Sequence, residues 1–215
     1  MLTACWSAKG GVGTTVVATC LALLIGARDP AGAVIADLCG DVPDMLGVAA
    51  PRSPGIAGWL CAGEGVPADA LTRMQVSVTD GLVMLPRGEG SLGGERTDVL
   101  ARLLENGPRP VVADCGLNLS AASDALVTAA TRSLLVTRPC YLALRHASRA
   151  TRRPTGVVVV REPGRVLGVA HVEEAVGAPV VAEVETDVAI SRAVDAGLLG
   201  SRLPLALERG LRRAL

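Results

Sequence analysis

The order of apolar runs along this chain predicts an α/β fold: a single domain on a mostly parallel sheet of about seven strands, with helices on both faces. Three observations carry that expectation. Short runs of Val, Leu, Ile and Ala lack polar alternation, as strands buried on both faces do. Helix-length stretches fall between most of them. The chain's 215 residues suit one domain, which at that size buries roughly 70% of the unfolded surface. No internal repeat, low-complexity tract or linker divides residues 1–215.

Each element has its own warrant. Leu2 to Trp6 is an apolar run that ends at a glycine-rich loop, and reads as the first strand. Thr14 to Ala27 (TTVVATCLALLIGA) is apolar nearly all round and long enough for a buried helix closed near Gly26. Ala33 to Asp37 (AVIAD) is a buried strand ending in a carboxylate. A Gly- and Pro-rich region follows, with short helices expected over Gly55–Ala62 and Pro67–Met74. Further strands are expected at Gly81–Leu85, Pro110–Asp114, Ser133–Thr137, Gly156–Val160 and Pro179–Glu183. Helices are expected near Asp98–Glu105, Ala121–Ala130, Leu142–Thr151 and Asp187–Ala196, with a last one from Pro204 to the end.

Composition sets bounds on function. Half the residues are hydrophobic and the formal net charge is +0, which excludes a strong global attraction to nucleic acid and leaves only local basic patches. No apolar run approaches a membrane span, and MLTACW lacks the basic region and cleavage pattern of a signal peptide. Cys5, Cys20, Cys39, Cys61, Cys115 and Cys140 form no CxxC pair and mostly sit in apolar runs. They read as small hydrophobes in a reducing cytoplasm, not as a disulfide framework or a zinc site. His146 and His171 are isolated and are assigned no chemistry.

The stretch SAKGGVGTT, residues 7–15, has the glycines and paired hydroxyls of a phosphate-binding loop. It departs from GxxxxGK[ST] in placing Ala8 at the first glycine and Thr14 at the lysine. Of 21 basic residues only Lys9 is a lysine. A compact ammonium suits close approach to phosphate oxygens better than a planar guanidinium, so its position in this loop points to function. Chance placement on a solvated loop is the competing reading.

Ligands of a parallel α/β sheet bind beyond the carboxyl ends of its strands. Three features coincide there: the loop, Asp37 after the second strand, and Asp114 after PVVAD. Backbone N–H groups of Gly10, Gly11, Val12, Gly13, Thr14 and Thr15, leading into a helix N-terminus, would cradle an anion. Thr15 stands where such loops ligate Mg²⁺ with a hydroxyl, and Asp114 where a strand-end carboxylate holds that metal through water. A dinucleotide fold is the alternative, since Gly11-Val12-Gly13-Thr14-Thr15-Val16 is GxGxxV and Asp37 could bind a ribose. Against it, Val16 replaces the third glycine, and Asp37 lies beyond the usual spacing of about 20 residues. That alternative also leaves Lys9 and Asp114 without a task.

The order KGGxGxT, a strand ending in Asp, and a strand ending in Asp114-Cys115-Gly116 resembles the ParA/MinD family of P-loop ATPases with a deviant Walker A loop. The likeness continues through SLLVTRP (133–139) and DVAISRAVDAGLL (187–199) and covers nearly the whole chain. In texture it is nearest the CpaE/TadZ-like and actinobacterial septum-site or partition-like branches. The resemblance implies a P-loop NTPase fold, ATP and Mg²⁺ as ligands, and a nucleotide-sandwich homodimer. Lys9 matches the signature lysine, which reaches the partner's bound phosphates. Gly10, Gly11 and Gly13 match the loop glycines, Thr15 the Mg²⁺ ligand, Asp114 the acid of the second switch region, and Asp37 the first Asp of D-x-D, which makes Thr15, Asp37 and Asp114 the metal candidates.

The departures are as informative. Thr14 replaces the in-cis lysine and so removes a charge-assisted phosphate contact, typically worth about 1.5–3 kcal/mol. Cys39 replaces the Asp that orients attacking water. Asp41 would stand in for it if the turn Cys39-Gly40-Asp41 folds back, which makes Lys9 and Asp41 the catalytic candidates. The Asn that reads adenine in the family is missing at Val160-Arg161. Nucleotide binding with weak or absent hydrolysis is the resulting expectation.

What the chain would position is a partition, division or pilus-assembly machine, from the cytoplasm or attached to membrane or nucleoid. Arg145, Arg149, Arg152 and Arg153 fall on roughly one helical face and could meet a DNA backbone; a solvated arginine-rich face is the simpler account. The C-terminal PLALERGLRRAL could lie on a membrane surface or close the fold. A competent ATPase and a degenerate interaction module without nucleotide are the other function classes left open.

Overall fold

The computed structural model describes residues 1–49, 51–63, 65–67, 69–117 and 120–215. Among them a single sheet of eight strands runs in the order β3-β4-β2-β5-β1-β6-β7-β8. The strands are β1 (Leu2–Trp6), β2 (Ala33–Asp37), β3 (Val76–Thr79), β4 (Leu82–Leu85), β5 (Val111–Asp114), β6 (Arg132–Thr137), β7 (Gly156–Arg161) and β8 (Val180–Glu185). All neighbours are parallel except β3, which pairs antiparallel with β4 at one edge. The sheet therefore has one strand more than the sequence patterning indicates.

Helices cover both faces because the strand residues feed two apolar layers. Leu2, Ala4 and Trp6 of β1 point into one core, together with α3 (Gly55–Cys61), α5 (Thr97–Glu105), α6 (Ala121–Ala129), α7 (Tyr141–Ser148) and α8 (Val169–Val176). Cys5 points into the other, with α1 (Thr14–Gly26), α2 (Val42–Leu46), α9 (Val188–Asp195) and α10 (Leu205–Leu211). Alternation across a strand puts successive side chains on opposite faces, so both layers form from one continuous apolar run. Helix α1 lacks a polar stripe because it is packed nearly all round, with Val17, Cys20, Leu21 and Leu24 buried.

The helix expected over Pro67–Met74 is a single turn, α4 (Ala70–Arg73); Ala68, within that span, lies outside the described residues. Helix α3 is held from outside its own sequence. The Arg96 guanidinium stacks on Trp59 at 3.7 Å and donates to the carbonyls of Trp59 and Ala62, both at 2.9 Å.

β1 lies near the middle of the sheet, between β5 and β6. From it the chain crosses to β2 on one side, and β6 continues the sheet on the other. The strand order thus reverses at β1, which opens a crevice at its carboxyl end. That is where the loop of residues 7–13 sits.

Candidate functional site

The loop leaves the sheet under firm anchorage. Trp6 donates its indole N–H to Ser133 Oγ at 2.9 Å, and Ser7 donates from N and Oγ to the Gly116 carbonyl at 2.7 and 3.1 Å. Gly11 and Gly13 take φ of +73° and +96°, a conformation that costs other residues strain. Gly13 is the N-cap of α1, and no side chain caps that end. Val17 is the first to donate within the helix, to Gly13 O at 3.0 Å, so the N–H groups of Thr14, Thr15 and Val16 have no intrahelical acceptor. Unspent donors and the positive end of the helix dipole suit this end of α1 to an anion.

Lys9 is half-buried, and its Nζ donates to the carbonyl of the adjacent Gly10 at 3.3 Å. It forms no ion pair among the described residues. Thr14 is buried, so it brings a backbone N–H to the loop and no cation. Val12 is buried as well, while Gly10 and Gly11 are exposed.

The two strand-end acids are brought side by side. Asp37 and Asp114 are register partners across β2 and β5, 1% and 0% exposed. Asp37 Oδ1 accepts from the N–H of Cys39 at 3.0 Å and of Gly40 at 2.6 Å; Asp114 Oδ1 accepts from Gly116 N–H at 3.2 Å. The Oδ2 of each is buried with no hydrogen-bond partner among the described residues. Burial raises both pKa values, that of Asp114 to about 6, and for Asp37 the backbone N–H groups partly oppose it. The Thr15 hydroxyl lies near enough to Asp114 to favour its ionised form, yet leaves Oδ2 without a hydrogen bond of ordinary geometry.

Two buried carboxylate oxygens without partners, beside a threonine hydroxyl, fit a hard divalent cation. No group of three His, Cys, Asp or Glu able to hold a metal occurs among the described residues. Such a cation would complete its shell with water and phosphate oxygens, which is the habit of Mg²⁺.

Cys39 and Asp41 take different places. The Cys39 Sγ lies 3.8 Å from the Asp114 carbonyl and packs on Gly116, where an added Cβ would come within 2.5 Å of the sulfur. Burial pushes the thiol's pKa well up, so it stays neutral and supplies no base. Asp41 is exposed at the N-terminal boundary of α2, and its charge is close enough to raise the pKa values of both Asp37 and Cys39.

A cavity of about 230 Å³ adjoins the loop on its other side, walled by Val12, Gly13, Val16, Val160, Ile190 and Val194. Sequence reasoning missed it because it closes only when β7 and α9 come together over the loop. The apolar spacing of Ile190 and Val194 is the local signal that could have suggested it. Arg161, at the adenine-reading position of the resemblance, pairs with Glu183 at 2.7 Å.

No family model matches the sequence, and no curated protein does. Solved structures match over the length of the chain. A ParA family ATPase from Chlorobium tepidum TLS superposes with TM-score 0.78 at 16% identity, over 98% of this chain and 95% of that one. The fold is that of the ParA and MinD ATPases. The MinD cell division protein of Aquifex aeolicus gives TM-score 0.75 at 18% identity, over 99% and 96%. The septum site-determining protein MinD of Pyrococcus horikoshii OT3, complexed with Mg-ADP, gives 0.70 at 16%, over 100% and 95%. At such identities the likeness to ParA and MinD is one of fold, and the site rests on the geometry above.

Both candidate surfaces look different once folded. Helix α7 ends at Ser148 with Arg149 as its C-cap, so Arg145, Arg149, Arg152 and Arg153 do not share one helical face. Arg152 grips Asp124 with two bonds of 3.0 and 2.8 Å, and Arg153 donates to the Val176 carbonyl at 2.9 Å. The C-terminal helix buries Leu207 and Leu211 against the sheet. No helix among the described residues is long and apolar enough to cross a membrane.

Proposed function

We propose that this chain is an ATP-dependent, dimerising switch of the ParA/MinD type, which positions a partition, division or pilus-assembly machine and hydrolyses nucleotide weakly or not at all. The observation that carries the reading is the pair of buried register partners, Asp37 and Asp114, each with an oxygen lacking a partner, at the mouth of a glycine loop holding the chain's one lysine. The loop N–H groups of Thr14 to Val16 bind the phosphates, Thr15, Asp37 and Asp114 would hold Mg²⁺, and the apolar cavity next to Gly13 receives the base. Bound Mg²⁺ supplies charge neutralisation at the phosphate oxygens.

Weak turnover follows from what the chain's own residues lack. Phosphoryl transfer is mostly positioning and electrostatics. Thr14 brings no cation, and the neutral Cys39 thiol cannot orient water as a carboxylate would. Lys9, bonded among the described residues only to its neighbour's carbonyl, is available to a second chain, and Asp41, exposed and close enough for its charge to act on Asp37 and Cys39, is the candidate acid for a water.

Calorimetry of ATP with and without Mg²⁺ tests the reading, paired with light scattering for mass. Native protein is expected to bind and to dimerise with ATP. Lys9→Ala should keep the fold and weaken binding or dimerisation at least about tenfold, the usual worth of a lost charge-assisted contact. Absence of ATP binding by the native protein would leave only the degenerate interaction module.

A further inference from the structure

Away from the loop, an apolar groove of about 780 Å³ runs between α9 and α10. Nine large apolar residues are exposed among the described residues, and three of them, Val188, Leu198 and Leu205, share this groove at 64, 44 and 63% exposure. Single exposed aliphatics are ordinary, whereas three lining one groove offer a partner a place to bury apolar surface. The same walls carry Arg192 and Arg202, both exposed and neither in an ion pair among the described residues. Asp187, the one acid in the lining, is already engaged: it accepts the Ala189 N–H at 2.8 Å as the N-cap of α9.

From this charge and shape we infer that the groove docks a short acidic segment of a protein partner, one with carboxylates for Arg192 and Arg202 and aliphatic side chains for Val188, Leu198 and Leu205. Interface cores favour apolar contact, with arginine among the enriched residues. Duplex DNA would engage the arginines but leave the three aliphatic side chains against hydrated phosphates, so a peptide fits better. Helix α9 also joins the groove to the loop. Its Ile190, Ser191 and Val194 wall the cavity that contains Val12 and Gly13, while Val188 and Arg192 line the groove. Coupling through this shared wall is reciprocal. The coupling rests on the nucleotide reading above; the docking does not.

Fluorescence anisotropy on nucleotide-free protein tests the docking, using a labelled amphipathic peptide of Glu and Leu at helical spacing, its Lys-for-Glu counterpart, and a labelled DNA duplex. The Glu/Leu peptide is expected to bind saturably. Arg192→Glu with Arg202→Glu, and separately Val188→Ser with Leu205→Ser, should each weaken it at least about tenfold. Val166→Ser, exposed and outside the groove, should leave it unchanged, and circular dichroism should show every variant folded. Equal binding of the peptide by native and groove variants overturns the proposal. So does duplex binding that needs the arginines but ignores Leu205, or a groove-dependent change in the protein's own sedimentation with no peptide bound, which would make the occupant a second copy. Adding ATP and Mg²⁺ to protein shown by calorimetry to bind them should shift peptide affinity; equal affinities there remove the shared wall and leave the docking standing.

Discussion

Asp114 sits with no exposure to water and, among the described residues, one oxygen without a partner, and burial raises its pKa to about 6 from an ordinary 3.8. A raised folded-state pKa means that the folded chain keeps a proton which the unfolded chain releases between those values. Stability is therefore full below about pH 4 and falls as pH rises to about 6, by about 3 kcal/mol for such a shift. Asp114→Asn should make the metal-free protein more stable than native near neutral pH, by up to that amount, with the gap closing toward about pH 4. Urea unfolding across the pH range checks this, and the same variant should lose the Mg²⁺ dependence of ATP binding. Equal stability of the two proteins at neutral pH would mean that desolvation of Asp114 is not what burial costs here. The strand-end position of Asp114, like those of Asp37 and the loop glycines, is legible from local sequence because each follows an apolar run directly. The packing of Cys39 on Gly116 is not, since those residues are far apart in the chain and meet only across β2 and β5.

Helix α10 decides between two readings that its sequence leaves open. Leu207 and Leu211 are 1% and 0% exposed and belong to the core beneath α1 and β8. Gly210 lies so close to β8 that a Cβ would come within 2.5 Å of the Glu183 carbonyl. A helix reserved for a membrane would keep these leucines outward, and their loss would barely alter stability. Leu211→Ala should instead cost about 2–5 kcal/mol in chemical denaturation, as buried leucine truncations do, while vesicle flotation of native protein stays at background. An unchanged midpoint would return the helix to the membrane reading. Elements of this scale were legible where an apolar run was long or doubly buried, as in α1 and β1. β3 went unread because its four residues are half-exposed at an edge. Helices α2 and α8 went unread because Pro43 and the flanking Gly47, Gly168 and Gly177 resemble loop punctuation, although those glycines are the helix boundaries.

At the scale of the whole molecule, the proposed function gives one chain an incomplete set of charges around the loop. Among the described residues of a single chain Lys9 Nζ bonds only the carbonyl of Gly10, Thr14 is buried and uncharged, and Cys39 is a neutral thiol. In the proposed dimer a second chain would supply the missing cation, and a formal net charge of +0 sets no long-range repulsion against the encounter. Turnover should therefore belong to the dimer. Well below the dimer dissociation constant the dimer population grows as the square of protein concentration, so phosphate release per chain should rise in proportion to concentration at saturating ATP and level off once dimers predominate. Lys9→Ala should flatten that rise. Mixed with native protein, it should yield dimers that have lost one of the two trans lysines. Thr14→Lys with Cys39→Asp returns a cation and an acid to each chain, and should raise turnover at least about tenfold, since each charge-assisted contact is worth roughly 1.5–3 kcal/mol. Brisk hydrolysis by dilute native monomer, constant per chain across the concentration series, would show that Lys9 acts within its own chain and that neither Thr14 nor Cys39 limits the reaction.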